Sequence, residues 1–199
     1  MGIQAIETRY AGCHFRSRLE ARWAVFFDEL GIKWEYEAQG FEVRHRITGD
    51  ESCFNYLPDF WLADEDVFAE VKGSLTNDQL LRLLDVAAYL SSPNGGCGGG
   101  NDLVVLGPIP RPDRLYGGGY IPWRLHMHKG DLLASKWFGG ASPCQGHLVA
   151  NDGGSLFVPE HRFTEILLNG SQTEKLPSRA RLGFTAARSA RFEHGQSGA

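Results

Sequence analysis

Two acidic residues and a lysine carry the chemistry that this sequence can be asked to do. Asp59 lies in the run YLPDFWL (56–62), and Glu70 and Lys72 lie in VFAEVK (67–72). Both runs read as strands, and the four residues between them, 63–66, suit a hairpin turn. With Leu62 and Val67 paired across the turn, the antiparallel register brings Asp59 opposite Glu70. Their Cβ atoms should then sit on one face, about 4.5–5.5 Å apart. Lys72, two residues on, projects from that face too. The other face carries Pro58, Phe60, Leu62, Val67, Ala69 and Val71, an apolar core surface. Trp61 and Phe68 share the carboxylate face, so the charged group is expected near one end of a largely covered sheet.

Two facing carboxylates repel one another, and partial burial raises the cost. A hard divalent cation relieves it, because Mg²⁺ favours one or two carboxylates together with waters and phosphate oxygens. Such an ion can polarise a phosphodiester and make hydroxide from water at neutral pH. A neighbouring lysine adds a compact positive charge against the transition state. The plainer alternative is a set of solvated hairpin charges in which Lys72 simply pairs with the acids.

The elements that must hold this group are legible around it. Leu19, Trp23, Phe26, Phe27 and Leu30 recur at helical spacing, so residues 18–30 form an amphipathic helix, with Ser17 as N-cap and Gly31 as its stop. Strand-like alternation follows over 33–37 and 39–46, then a polar loop over 48–52. After the hairpin, Thr76 and Gln79 form a capping box for a helix reaching about residue 90, with Leu80, Leu84, Ala87 and Ala88 inward. Ser91, Ser92 and Pro93 end it, the glycine-rich stretch 94–100 is a loop, and 103–106 is a short buried strand. Beyond Gly107 periodicity weakens until an Arg- and Ala-rich helix over 178–192. A boundary near 107 divides a core, 1–107, from a C-terminal extension, 108–199.

The residues Pro58-Asp59-Phe60 and Glu70-Val71-Lys72, with Glu20 on the preceding helix, resemble the PD-(D/E)XK nuclease superfamily. The order of elements is similar as well, and the resemblance spans roughly residues 9–106, about half the chain. The phrasing FRSRLE (15–20) and YLPDF (56–60) is similar to the N-terminal nuclease domain of TnsA-like transposon enzymes and to small nuclease-like proteins of actinobacterial phages. The resemblance implies an α/β (α+β) fold with a restriction-endonuclease-like core, a central mixed sheet flanked by helices. It implies that Asp59, Glu70, the Val71 carbonyl and Glu20 hold Mg²⁺, with Mn²⁺ able to substitute, and that Lys72 is catalytic. Gln79 and Tyr89 do not match the spacing of the exonuclease branch. The implied activity is a Mg²⁺-dependent DNA endonuclease. Two alternatives remain: an inactive nuclease fold that binds DNA or protein, and a transposase-type subunit that cleaves only within a complex. A homodimer would supply two active sites for paired-strand cutting. The implied setting is the cytoplasm of a bacterial host, with a phage gene among the sources suggested.

Glu20 has a rival role. Ser17 to Glu20 is itself a capping box, in which Glu20 would bond back to the Ser17 amide. Glu35 and Glu37 alternate on one face of a predicted strand; either could add an acid, and at least one is expected to be a solvated edge residue. Arg9, Arg16, Arg18 and Arg22 cluster near the start of the first helix, where forked guanidinium donors suit DNA phosphates. Arg179, Arg181, Arg188 and Arg191 mark the last helix. His126, His128, Cys144 and His147 are residue types that bind zinc, but their irregular spacing favours ordinary surface histidines.

Composition narrows the classes. A hydrophobic fraction of 42% and a charged fraction of 22% fit a globular chain, and the net charge of −4 excludes a polycation that binds nucleic acid by bulk charge. No apolar run approaches the roughly 18 residues of a membrane span, and residues 1–9 lack the apolar core of a signal peptide. The four cysteines are scattered without a C-x-x-C pair, which suits isolated thiols in a reducing compartment.

Overall fold

The computed structural model describes residues 5–45, 52–91, 101–111, 119–128, 131–137, 147–150, 167–173 and 178–192. Its first strands, β1 (Thr8–Tyr10) and β2 (Cys13–Phe15), form a hairpin of their own ahead of helix α1 (Arg18–Leu30). Ser17 caps α1 by accepting from the Glu20 N–H at 3.2 Å, and Gly31 ends it at φ 64°, a left-handed conformation that favours glycine. Next come β3 (Trp34–Tyr36), β4 (Phe41–Arg44), β5 (Cys53–Tyr56), β6 (Phe60–Leu62) and β7 (Val67–Val71). Helix α2 (Asn77–Leu90) then crosses over to β8 (Asp102–Leu106), which lies parallel to β7. The capping box of Thr76 and Gln79 is formed at the start of α2, with both reciprocal bonds present.

The expected hairpin register is realised, with Phe60 opposite Ala69, Trp61 opposite Phe68 and Leu62 opposite Val67. The expected single strand over 56–62 is not. Tyr56 ends β5, which pairs with β4, and Phe60 opens β6 in the main sheet. Leu57, Pro58 and Asp59 change sheets between them, where proline has no N–H to give a ladder.

Past residue 107 the chain continues the same sheet. Strands β10 (Trp123–His128), β11 (Asp131–Lys136) and β12 (His147–Ala150) extend it antiparallel from β8, giving the order β12-β11-β10-β8-β7-β6-β3. Short strands β9 (Gly119–Ile121) and β13 (Ser171–Thr173) pair separately. The last helix, α3 (Ser178–Ser189), lies against α1. The whole is a mixed α+β fold, a central mixed sheet with helices on both faces.

Alternation along the central strands sorts two cores. Phe60, Leu62, Val67, Ala69, Val71, Val104 and Leu106 meet α1 and α3, while Phe68, Leu103, Val105 and Leu125 meet α2. Being covered on both faces, β8 is buried at every position, which explains its unbroken apolar run. Among the described residues no helix is long and apolar enough to cross a membrane. Cys13 and Cys53 are free thiols; Cys97 and Cys144 lie outside the described residues.

Close backbone approaches pin α1 and the end of β8 together. Trp23 Nε1 donates to the Gly107 carbonyl at 2.9 Å, and the Gly107 N–H donates to the Tyr120 hydroxyl at 3.1 Å. A Cβ on Gly107 would fall 1.9 Å from the Leu168 carbonyl oxygen, which is backbone and cannot rotate away. Gly107→Ala should therefore destabilise the fold by about 1–3 kcal/mol, the usual range for overpacking, measured as a lowered urea midpoint with an unchanged m-value.

Candidate functional site

Asp59, Glu70, Lys72, Glu20, Arg16, Tyr36 and Tyr56 gather at one end of β6 and β7. The residue just before β6 is Asp59, and continuing the register places it across from Glu70. Its backbone carbonyl accepts from the Glu37 N–H at 3.0 Å, and its side-chain Oδ2 accepts from the Val71 N–H at 2.7 Å. This second bond turns the carboxylate toward the end of β7. Both acids are enclosed, Asp59 at 2% and Glu70 at 3% exposure.

Each acid has a basic partner. Arg16 Nη2 donates to Asp59 Oδ1 at 2.7 Å, and Arg16 Nε meets Glu37 Oε1 at 3.0 Å. Lys72 Nζ meets Glu70 Oε1 at 2.5 Å. Glu70 Oε2 is buried without a hydrogen-bond partner. The Tyr56 hydroxyl is buried beside Glu70, and burial together with that negative charge holds its pKa well above the ordinary phenol value.

Burial, and then the charge of Glu70, raise Asp59 from 3.8 to about 7, against the opposing bond from the Val71 N–H. Glu20 adds to the rise and Lys72 opposes it. Asp59 thus feels the charge of Glu70, Glu20 and Lys72, the three other side chains singled out in the sequence.

Glu20 itself is 7% exposed and satisfied locally. Its Oε1 accepts from the Ser17 hydroxyl at 2.7 Å, and its Oε2 accepts from the Tyr36 hydroxyl at 2.7 Å and the Arg16 N–H at 3.1 Å. The anticipated back-bond therefore goes to the Arg16 amide and the Ser17 hydroxyl, rather than to the Ser17 amide. Among the described residues no group of three or more His, Cys, Asp or Glu is gathered closely enough to hold a metal ion, and Glu20 lies near enough for its charge to act on Asp59. Glu35 is exposed on β3, as expected of an edge residue. Glu37 lies beyond β3 at φ 50°, in a turn that aims it at Arg16.

The remaining candidates differ in exposure and partners. Arg9 is exposed on β1, Arg18 and Arg22 are half-buried on α1, and Arg16 is committed to Asp59 and Glu37. On the last helix, Arg188 Nη1 donates to the Pro110 carbonyl at 3.4 Å. His126 is a buried residue, not the expected surface one, with Nδ1 3.4 Å from Ser135 Oγ across β10 and β11. Cys144 and the side chains of His128 and His147 lie outside the described residues.

Sequence reasoning did not nominate Tyr36 or Tyr56. A tyrosine among alternating apolar residues reads as core, and only the tertiary fold brings these hydroxyls to buried carboxylates. Comparison of the chain with protein-family models, with curated proteins and with solved structures finds no match in any of the three.

The donor set fits one small hard cation. Asp59, Glu70 and the Val71 carbonyl are oxygen ligands of the kind Mg²⁺ takes when waters and phosphate oxygens complete its shell, and Glu70 Oε2 is a buried acceptor with a free lone pair.

The raised Asp59 pKa has a direct consequence without metal. An acid whose folded pKa exceeds its unfolded one takes up a proton on folding between the two values. Its contribution is therefore fully present below about 3.8 and is lost as the pH rises through about 7. In chelator-containing buffer, wild-type protein should lose stability relative to Asp59→Asn from about pH 4 to 7, with parallel curves above. Denaturant midpoints across that pH range check this, and parallel curves throughout would contradict it.

Proposed function

We propose that this chain is a Mg²⁺-dependent DNA endonuclease with a restriction-endonuclease-like core of the PD-(D/E)XK kind. The observation that carries the reading is the buried pair Asp59 and Glu70, with Glu70 Oε2 left unbonded and Lys72 on the neighbouring oxygen. Burying two acids side by side is costly in a protein that uses them only for packing. A site that binds a cation and a phosphodiester recovers that cost.

Asp59, Glu70 and the Val71 carbonyl would hold the ion, which when bound supplies Lewis acidity at the scissile phosphate. The protein's own residues do the rest. The Val71 N–H orients Asp59, and the Tyr56 ring helps exclude bulk water from Glu70. Lys72 holds a positive charge beside the pair, where it can meet negative charge building on the phosphate oxygens. A water that gives up a proton to solvent would attack phosphorus in line, the bond from phosphorus to the leaving oxygen would break, and that oxygen would take a proton from solvent. Arg9, Arg18 and Arg22 offer forked donors to the DNA backbone, contacts that position a duplex without reading its sequence.

A second reading has its own support. Arg16 and Lys72 neutralise Asp59 and Glu70 internally, two bases against two acids, as expected of an inactive nuclease fold that only binds. Purified protein with supercoiled plasmid and millimolar Mg²⁺ or Mn²⁺ separates the two. Nicking or linearisation should appear, vanish in Asp59→Asn, and slow by about 10²–10³-fold in Lys72→Ala. Binding without cleavage in either metal favours the second reading.

A further inference from the structure

Arg16 is held at one end and open at the other. Its backbone N–H is tied to Glu20 Oε2 at 3.1 Å and to the Tyr36 hydroxyl at 3.2 Å, which anchors the start of the side chain. Its guanidinium donates to Asp59 Oδ1 at 2.7 Å and meets Glu37 Oε1 at 3.0 Å, while 59% of the side chain faces solvent. The other Asp59 oxygen already receives the Val71 N–H. A cation approaching Asp59 must therefore compete with Arg16 for Oδ1, and it also meets the repulsion of a fixed positive charge.

We propose that Arg16 exchanges partners, neutralising Asp59 before metal arrives and passing to a DNA backbone phosphate once metal has taken that carboxylate. This rests on the metal-dependent reading above. No covalent bond changes, and the guanidinium stays protonated throughout because its pKa lies far above neutrality. It leaves one pair of anionic oxygens for another, and a phosphate matches its forked donors as well as a carboxylate does. Glu37 is the second holder and lies outside the proposed ligand set, so it sets how firmly Arg16 is retained. Metal and DNA then assist one another, since each draws on the same exchange.

The test measures Mn²⁺ binding to the full chain without DNA, by isothermal titration calorimetry at a fixed pH of about 8. Wild type, Arg16→Gln and Glu37→Gln are compared, each first checked for a cooperative thermal transition. Mn²⁺ should bind about 5–10-fold tighter in Arg16→Gln and a few-fold tighter in Glu37→Gln, within the usual range of coupling between sites. A fluorescent duplex in Ca²⁺ buffer should bind Arg16→Gln about 5–10-fold more weakly, with a salt slope shallower by about one, as for loss of one phosphate contact. Should Arg16→Gln fail to fold, Glu37→Gln still tests the competition. Unchanged Mn²⁺ affinity in the variants, with wild type binding, overturns the exchange and leaves the metal-dependent reading standing. Tighter Mn²⁺ with unchanged DNA affinity overturns the transfer to phosphate. Failure of all three proteins to bind Mn²⁺ overturns both.

Discussion

The constraint on which this end of the molecule depends is the burial of two carboxylates at adjacent strand ends. Asp59 and Glu70 are almost wholly enclosed, and burial together with the charge of Glu70 holds the Asp59 carboxyl above its ordinary pKa. The fold answers with polar partners: the Val71 N–H and Arg16 for one acid, Lys72 for the other. That compensation is incomplete, because Glu70 Oε2 is buried without a hydrogen-bond partner, although the Tyr56 hydroxyl lies beside Glu70. An unpaired buried acceptor costs on the order of 1–3 kcal/mol.

The surrounding architecture is arranged to deliver these side chains to one point. The β6–β7 register carries Asp59 and Glu70 to the same end, and the start of α1 brings Ser17, Arg16 and Glu20 over it. Tyr36, at the end of edge strand β3, ties α1 to the sheet through Glu20. The Phe15, Tyr36 and Phe60 rings pack beneath this junction, so the polar network rests on a rigid aromatic base. On the far side, the contact of Trp23 with Gly107 fixes how α1 lies across β8. A shift of α1 would therefore move Glu20 and Arg16 together.

What the sequence made legible was local. Helix caps at Ser17, Gly31 and Thr76, the apolar stripes of α1 and α2, and the hairpin register all follow from short-range rules, and each is realised. The reading of 56–62 as one strand failed because apolar alternation does not show where a chain changes sheets, although Pro58 marks the place. Arg16 looked like a phosphate ligand because its type and neighbours suit one; its ion pair with Asp59 spans 43 positions and no periodicity reports such a contact. Glu37 was expected on the face of Glu35, but a positive φ at Glu37 ends the strand and redirects it. Strands beyond residue 107 were not foreseen because glycine and proline break up the pattern that would have revealed them.

The two basic partners are not equivalent, and the difference lies in the backbone beneath them. Lys72 directly follows β7, and its N–H donates to the Leu106 carbonyl at 2.9 Å, continuing the parallel ladder with β8. Its side chain is 28% exposed, so its ammonium is confined near Glu70 by the sheet itself. Arg16 sits in the turn before α1, on a longer side chain twice as exposed, its amide bonded to Glu20 and its guanidinium to Asp59 and Glu37. A charge that must remain beside the reacting group throughout a cycle belongs on the sheet, and one that must yield its place belongs on a turn. Lys72 and Arg16 occupy those two positions, so the same internal charge balance would serve an inert scaffold or, on the proposed reading, a site with one permanent and one exchangeable base.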